Sequence, residues 1–141
     1  MLKVIELSNF NQRFSMKFDI SVPILGFENV KEVELQKIDE IFMKMKALDN
    51  EHVSFTLIDP FVLREYDFEV PPSTKAALEI DAKSNLLIYN IVLIQSPIEE
   101  SIVNFIGPII FNTDNQKAAQ IILSESKEYG VAERISSFLK K

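Results

Sequence analysis

The chain has 141 residues, 47% of them hydrophobic, and no cysteine; it fits one domain with a real core, rules against disorder, and excludes disulfides, thiolate metal sites and a cysteine nucleophile. Fifteen Lys and Arg against 21 Asp and Glu give a net charge of −6, which disfavours direct binding to nucleic-acid phosphate and attracts a basic protein partner. No apolar run approaches the roughly 18 residues of a membrane helix, and Met1-Leu2-Lys3-Val4-Ile5-Glu6 places charge inside any would-be signal core; no membrane association is expected, and the cytoplasm is the expected compartment.

Met16 to Val22 alternates apolar and polar residues without a break and predicts a half-buried strand, ended by Pro23 with Gly26 in the turn. Val30 to Leu35 alternates again, with Val33 and Leu35 inward and Glu32 and Glu34 outward. Between Ile41 and Leu48 either a strand with Ile41, Met43, Met45 and Ala47 on one face or a helical turn fits the pattern. Val53 to Ile58 is rich in β-branched and aromatic residues and reads as a strand stopped by Asp59-Pro60. Phe61 follows in that turn, where a large ring is either a plug or an exposed anchor.

Arg64 to Val70 reads as a strand whose period of two puts Glu65, Asp67 and Glu69 on one face and Tyr66, Phe68 and Val70 on the other. Pro71-Pro72 stops it, and Ser73 is placed to cap a short helix through Ile80. Leu86 to Ile94 is an almost continuous apolar run and predicts a central strand. Ser96-Pro97-Ile98-Glu99 has the spacing of a capping box. Phe105 to Phe111 and Ala118 to Leu123 flank a polar turn cluster, Asn112 to Gln116, as in a hairpin. Gly107-Pro108 lies inside the first arm, and proline has no N–H for a ladder, so Pro108 belongs at an edge or a bulge. Asn104 and Asn112 bracket this arm and suit bonding to the backbone around Pro108; alternatively, that backbone accepts a partner's strand. Val131, Ile135, Phe138 and Leu139 recur at helical spacing and predict a C-terminal helix over about residues 130–140, docked on its own barrel. Short strands at near-regular spacing predict a mainly β, single-domain, antiparallel barrel-like fold spanning residues 1–141.

Catalytic machinery is sparse. His52 is the only histidine and stands in a polar loop beside Asn50 and Glu51; three glycines leave no nucleophile elbow and no phosphate-cradling loop. Carboxylates that neighbour one another on one strand face do not confront each other across a cleft, as glycosidase chemistry requires. Glu65, Asp67 and Glu69 therefore read as a solvated face or as an interface for a basic partner, not as catalysts or metal ligands. No cofactor is expected.

Five blocks together resemble the FliW family of flagellar assembly factors: P-I-L-G-F-E (Pro23 to Glu28), V-S-F-T-L-I-D-P-F (Val53 to Phe61), Y-D-F-E-V (Tyr66 to Val70), L-L-I-Y-N-I-V-L-I (Leu86 to Ile94) and N-F-I-G-P-I-I-F-N with its continuation to Leu123. They come in the family's order and span about residues 22–123, leaving the C-terminal helical extension outside. Gly107 departs from the family's usual Ala, and Gln116 and Ala119 from a basic residue and Gly. The resemblance favours strand for Ile41 to Leu48 and implies a compact β-barrel. It also implies a non-enzymatic assembly factor, a monomer when free, that binds flagellin as a chaperone. The same resemblance implies binding of the RNA-binding regulator CsrA and relief of its repression of flagellin synthesis, so that the two partners compete. Candidate contact residues are Phe61, Glu65, Tyr66, Asp67, Glu69, Asn104, Gly107, Pro108 and Asn112. The competing readings are a small-molecule-binding barrel or carboxylate enzyme, which needs an enclosed pocket with convergent polar groups, and a flagellin chaperone without the regulator arm.

Overall fold

The structure, a computed structural model, describes Val4, residues 14–124 and residues 129–139. Apart from Val4, the charged opening stretch lies outside these residues, as do the two terminal lysines. The alternating first half of the chain forms four strands: β1 (Ser15–Val22), β2 (Glu32–Lys37), β3 (Phe42–Ala47) and β4 (Ser54–Ile58). Each pairs antiparallel with the next. The helix α1 (Pro72–Leu78) follows, then β5 (Leu86–Leu93), β6 (Ile102–Val103), β7 (Ile109–Asn112), β8 (Lys117–Gln120) and β9 (Glu133–Arg134).

The sheet order β4-β3-β2-β1-β8-β7-β5 is closed by pairing of β4 with β5, giving a seven-stranded barrel. A ring with an odd number of strands cannot alternate direction all the way round. One parallel pair is forced, and it is β1 with β8; its register slips between Ile20 and Val22. Closure removes the exposed edges that an open sheet would present.

Alternation decides what fills the barrel. Phe18 lies opposite Val33, and Leu35 opposite Met45; all four are buried in a cluster with Leu57, Leu87, Tyr89, Ile109, Phe111 and Ala118. Phe111 meets Phe18 edge-on at 5.0 Å. The interior is thus packed side chain, not the enclosed pocket that the small-molecule reading needs. A second cluster lies outside the barrel wall and joins Leu86, Ile88, Val92, Ile110 and Ala119 to Tyr66, Val70, Leu78, Phe105 and Ile135. β5 serves both, which is why its sequence is a continuous apolar run and not an alternating one.

Several expectations are corrected. Ile41 lies just before β3 and is exposed. Ser73 is inside α1, whose cap position is held by Pro71 without a side-chain bond, and the helix stops at Leu78. Glu79, at positive φ, ends it. Asn112 Nδ2 and Asn115 Nδ2 both donate to the Leu78 carbonyl, so hairpin side chains satisfy a helix end that no glycine caps. The Ser96–Glu99 box does not form: Pro97 stands at the cap of a 3-10 turn, Ile98–Glu100, with no side-chain bond. The arms of the hairpin are shorter as ladders than expected, because β7 begins only after Pro108. The predicted C-terminal helix is replaced by β9, paired with β6, and a 3-10 turn, Ile135–Phe138. Ile135 and Phe138 reach the outer cluster through that turn, while Val131 and Leu139 are exposed.

Phe111→Ala removes a fully buried ring that touches Phe18 and Tyr89. It is expected to lower unfolding free energy by about 3–5 kcal/mol, read as a lower urea midpoint at unchanged slope.

Candidate protein-binding cleft

The segment Arg64 to Val70 keeps the predicted alternation but forms no ladder. Tyr66 and Val70 are buried, Phe68 is half-buried, and Glu65, Asp67 and Glu69 are exposed. β5, the outer wall beneath, is bonded to β4 over residues 90–92 on one edge and to β7 and β6 on the other, and the segment joins neither edge. Side chains hold it instead. The Tyr66 hydroxyl donates to the Phe105 carbonyl and accepts from Asn90 Nδ2 at 3.0 Å. Its ring touches Phe61, Phe68, Phe105 and Tyr129. The Asp67 N–H donates to the Tyr129 hydroxyl at 3.0 Å, and that hydroxyl lies 3.1 Å from the Asp67 carbonyl, to which it donates. Arg64 lies over the rings of Phe105, Tyr129 and Phe138 at 4.8–5.3 Å and pairs with Glu133 at 3.3 Å. The C-terminal residues thereby clasp this segment to the barrel.

A cleft of about 780 Å³ opens between this segment and the far end of α1. Val4, Phe61, Tyr66, Val70, Ile80 and Ile88 give it an apolar lining; Asp67, Glu69 and Asp81 bring carboxylates, and Lys75 the one cationic side chain among the lining residues. Asp67 and Glu69 are in no ion pair among the described residues. Phe61 is 43% exposed, so it is neither a plug nor fully free; its ring edge rests on Tyr66 at 6.2 Å.

The candidate residues of the hairpin are placed differently. Gly107, Pro108 and Asn112 are buried. The Pro108 carbonyl accepts from Ile121 N–H at 2.9 Å, and the Ile106 carbonyl from Leu123 N–H at 2.7 Å, so these carbonyls are taken within the hairpin and offer a partner's strand no free edge. Asn104 does support the turn: its Oδ1 accepts from the N–H groups of Ile106 and Gly107 at 3.0 and 3.2 Å. Asn112 does not; it serves Leu78 and the N–H of Asp114. A Cβ on Gly107 would fall 2.6 Å from Gln120 Nε2. The Gln120 amide joins the Gly107 carbonyl to the Leu25 N–H.

Asn90 and Gln120 escaped the sequence reading. Each is a lone amide within an apolar strand run, a usable sign of a buried bridge between backbones. Asn90 Nδ2 spans from Tyr66 to the Asn104 carbonyl at 2.8 Å. Arg64 was also missed; nothing in its spacing marks a cage assembled from Phe105, Tyr129 and Phe138. His52 is an exposed loop residue. No group of three His, Asp or Glu side chains stands ready to share a metal ion, and no helix is long and apolar enough to cross a membrane, among the described residues.

A filled barrel with its cleft on the outer wall defines a small β-barrel protein whose accessible features are on its surface. The profile described as FliW protein matches residues 6–135. The flagellar assembly factor FliW of Sulfurimonas denitrificans is 68% identical over 126 residues, covering 89% of this chain and 100% of that protein. FliW 2 of Wolinella succinogenes is 48% identical over 125 residues, 87% of this chain and 92% of that one. A crystal structure of the flagellar assembly factor FliW superposes with a TM-score of 0.79 at 23% identity, covering 89% of this chain and 87% of that one, and shows the shared fold. The chain belongs to the FliW family of flagellar assembly factors, which are not enzymes.

Asn104→Ala strands two N–H groups and is expected to cost about 1–3 kcal/mol; a melting curve equal to wild type would reject the support role. Burial raises the Tyr66 and Tyr89 hydroxyl pKa values above the ordinary tyrosine value. In the unfolded chain both ionise near pH 10, while the folded chain keeps its protons, so the unfolded state binds fewer protons. Stability is complete below about pH 10 and falls as pH rises beyond it. Urea midpoints between about pH 9 and 11 should show this fall, less steep in Tyr66→Phe.

Proposed function

We propose that this chain, acting as one domain over residues 1–141, binds flagellin as a cytoplasmic chaperone. It also binds the RNA-binding regulator CsrA and relieves its repression of flagellin synthesis. Membership in the FliW family supports the assembly role. The single observation that carries the protein-binding reading is the outer cleft, where an apolar lining coincides with the exposed carboxylates of Asp67 and Glu69, which are in no ion pair among the described residues. Partners compete, and flagellin that accumulates releases CsrA to repress its synthesis. A protein that holds RNA presents basic surface, and an acidic face steers it by opposite charge.

The direct test mixes purified chain with its cognate flagellin and with CsrA at micromolar concentration. Comigration with flagellin as a one-to-one complex on size exclusion is expected, together with a calorimetric signal. Separate peaks and no heat with either partner would remove the reading. Loss of the CsrA signal alone would leave a flagellin chaperone without the regulator arm.

The exposed carboxylates of Glu65, Asp67 and Glu69 give a second outcome. Glu69→Lys is expected to leave stability within about 0.5 kcal/mol, as surface changes usually do, and to weaken CsrA binding. The loss should be greater at low salt, because physiological salt screens such contacts over roughly 8–10 Å. Equal CsrA affinity of variant and wild type at both salts would mean that this face is only solvated.

A further inference from the structure

The sequence suggests an acidic face for a basic partner. In the structure two of its carboxylates border an apolar cleft. Asp67 and Glu69, on the outward side of the extended segment, are also lining residues of the cleft whose floor is Ile88 and whose far wall carries Ile80 and Asp81. Phe61 and Tyr66 add ring edges to the same cleft. Lys75 is the one cation set against Asp67, Glu69 and Asp81 among the lining residues, and neither Asp67 nor Glu69 is neutralised by an ion pair among the described residues.

Such a lining selects its occupant. An apolar floor rewards buried aliphatic side chains by area removed from water. Exposed carboxylates beside aromatic edges reward a cation whose stem is itself apolar. An acidic or purely polar segment would gain neither. The wall is also pre-arranged: Tyr66 is held by Asn90 and Phe105, and Asp67 by Tyr129, so little ordering is needed on binding.

We infer that the cleft between residues 66–70 and residues 80–82 seats an amphipathic segment of flagellin, aliphatic side chains inward and lysine or arginine against Asp67, Glu69 and Asp81. This rests on the flagellin-binding reading above and adds the site and the chemistry of the segment. It also gives competition a physical form. A basic regulator steered to Glu69 meets the lip of the same cleft, so the two partners exclude one another by overlap.

The test compares flagellin affinity of the full-length wild type, Ala82→Trp, Asp67→Lys and Glu51→Lys by calorimetry. Ala82 is an exposed lining residue, so a tryptophan there narrows the cleft without changing charge. Glu51 is exposed in the loop before β4, so its reversal matches the charge change of Asp67→Lys away from the cleft. A synthetic Leu/Lys amphipathic peptide and its Leu/Glu counterpart serve as competitors. The inference expects at least a tenfold loss for Ala82→Trp and for Asp67→Lys, near-wild-type binding for Glu51→Lys, and displacement of flagellin by the Leu/Lys peptide only. Wild-type affinity in both cleft variants, with their melting curves unchanged, would overturn the inference while leaving flagellin binding intact. Equal loss in Asp67→Lys and Glu51→Lys would overturn it too, as an effect of net charge alone. Absence of binding by the wild type would instead overturn the flagellin reading itself.

Discussion

β5 is packed on both faces and bonded on both edges. Its inner face fills the barrel through Leu87 and Tyr89, and its outer face packs the second cluster through Leu86, Ile88 and Val92. One edge closes the barrel on β4, and the other is shared between β7 and β6. The unladdered segment at residues 64–70 is attached to the outer wall by side chains. The stretch from Asn104 to Pro108 bridges β6 and β7 opposite Asn90 and Ile91, and the Asn90 amide fills the gap in the ladder there with a bond to the Asn104 carbonyl. Asn90 Oδ1 is itself buried without a hydrogen-bond partner among the described residues.

The accessible chemistry follows from this constraint. Held by Tyr66, Tyr129 and Arg64, the unladdered segment packs Tyr66 and Val70 on the wall and borders a cleft beside α1. Its anchors are aromatic rings packed edge-on and hydroxyls bonded to backbone, which fix direction more tightly than area burial alone. The C-terminal residues take part through Tyr129, Glu133 and Phe138, so the two ends of the outer layer are mechanically joined.

The start of the barrel was legible because β1 and β2 alternate cleanly, and alternation is the direct imprint of one buried and one solvated face. β5 was legible for the opposite reason: both faces are buried. The acidic residues were placed correctly on the outward side, since period two needs only an extended backbone. That the backbone lacks a ladder was not legible, because pairing depends on whether a neighbour's edge is free, a property of the whole ring. The C-terminal spacing of Val131, Ile135 and Phe138 misled for a related reason. Ile135 and Phe138 do share a side, through a 3-10 turn of similar interval, while Val131 is exposed ahead of β9. Pro108 was rightly placed outside a regular ladder, yet its buried carbonyl bond to Ile121 could not be read from its lack of an N–H.

The central claim is that the extended residues 65–70 and the neighbouring end of α1 form the surface that partners touch. Hydrogen exchange of the full chain, alone and saturated with flagellin, tests it most directly. The account predicts slowed exchange concentrated in peptides covering residues 65–82, with the β1–β3 wall unchanged. Slowing confined to the β1–β3 wall, with residues 65–82 exchanging as in the free chain, would contradict it.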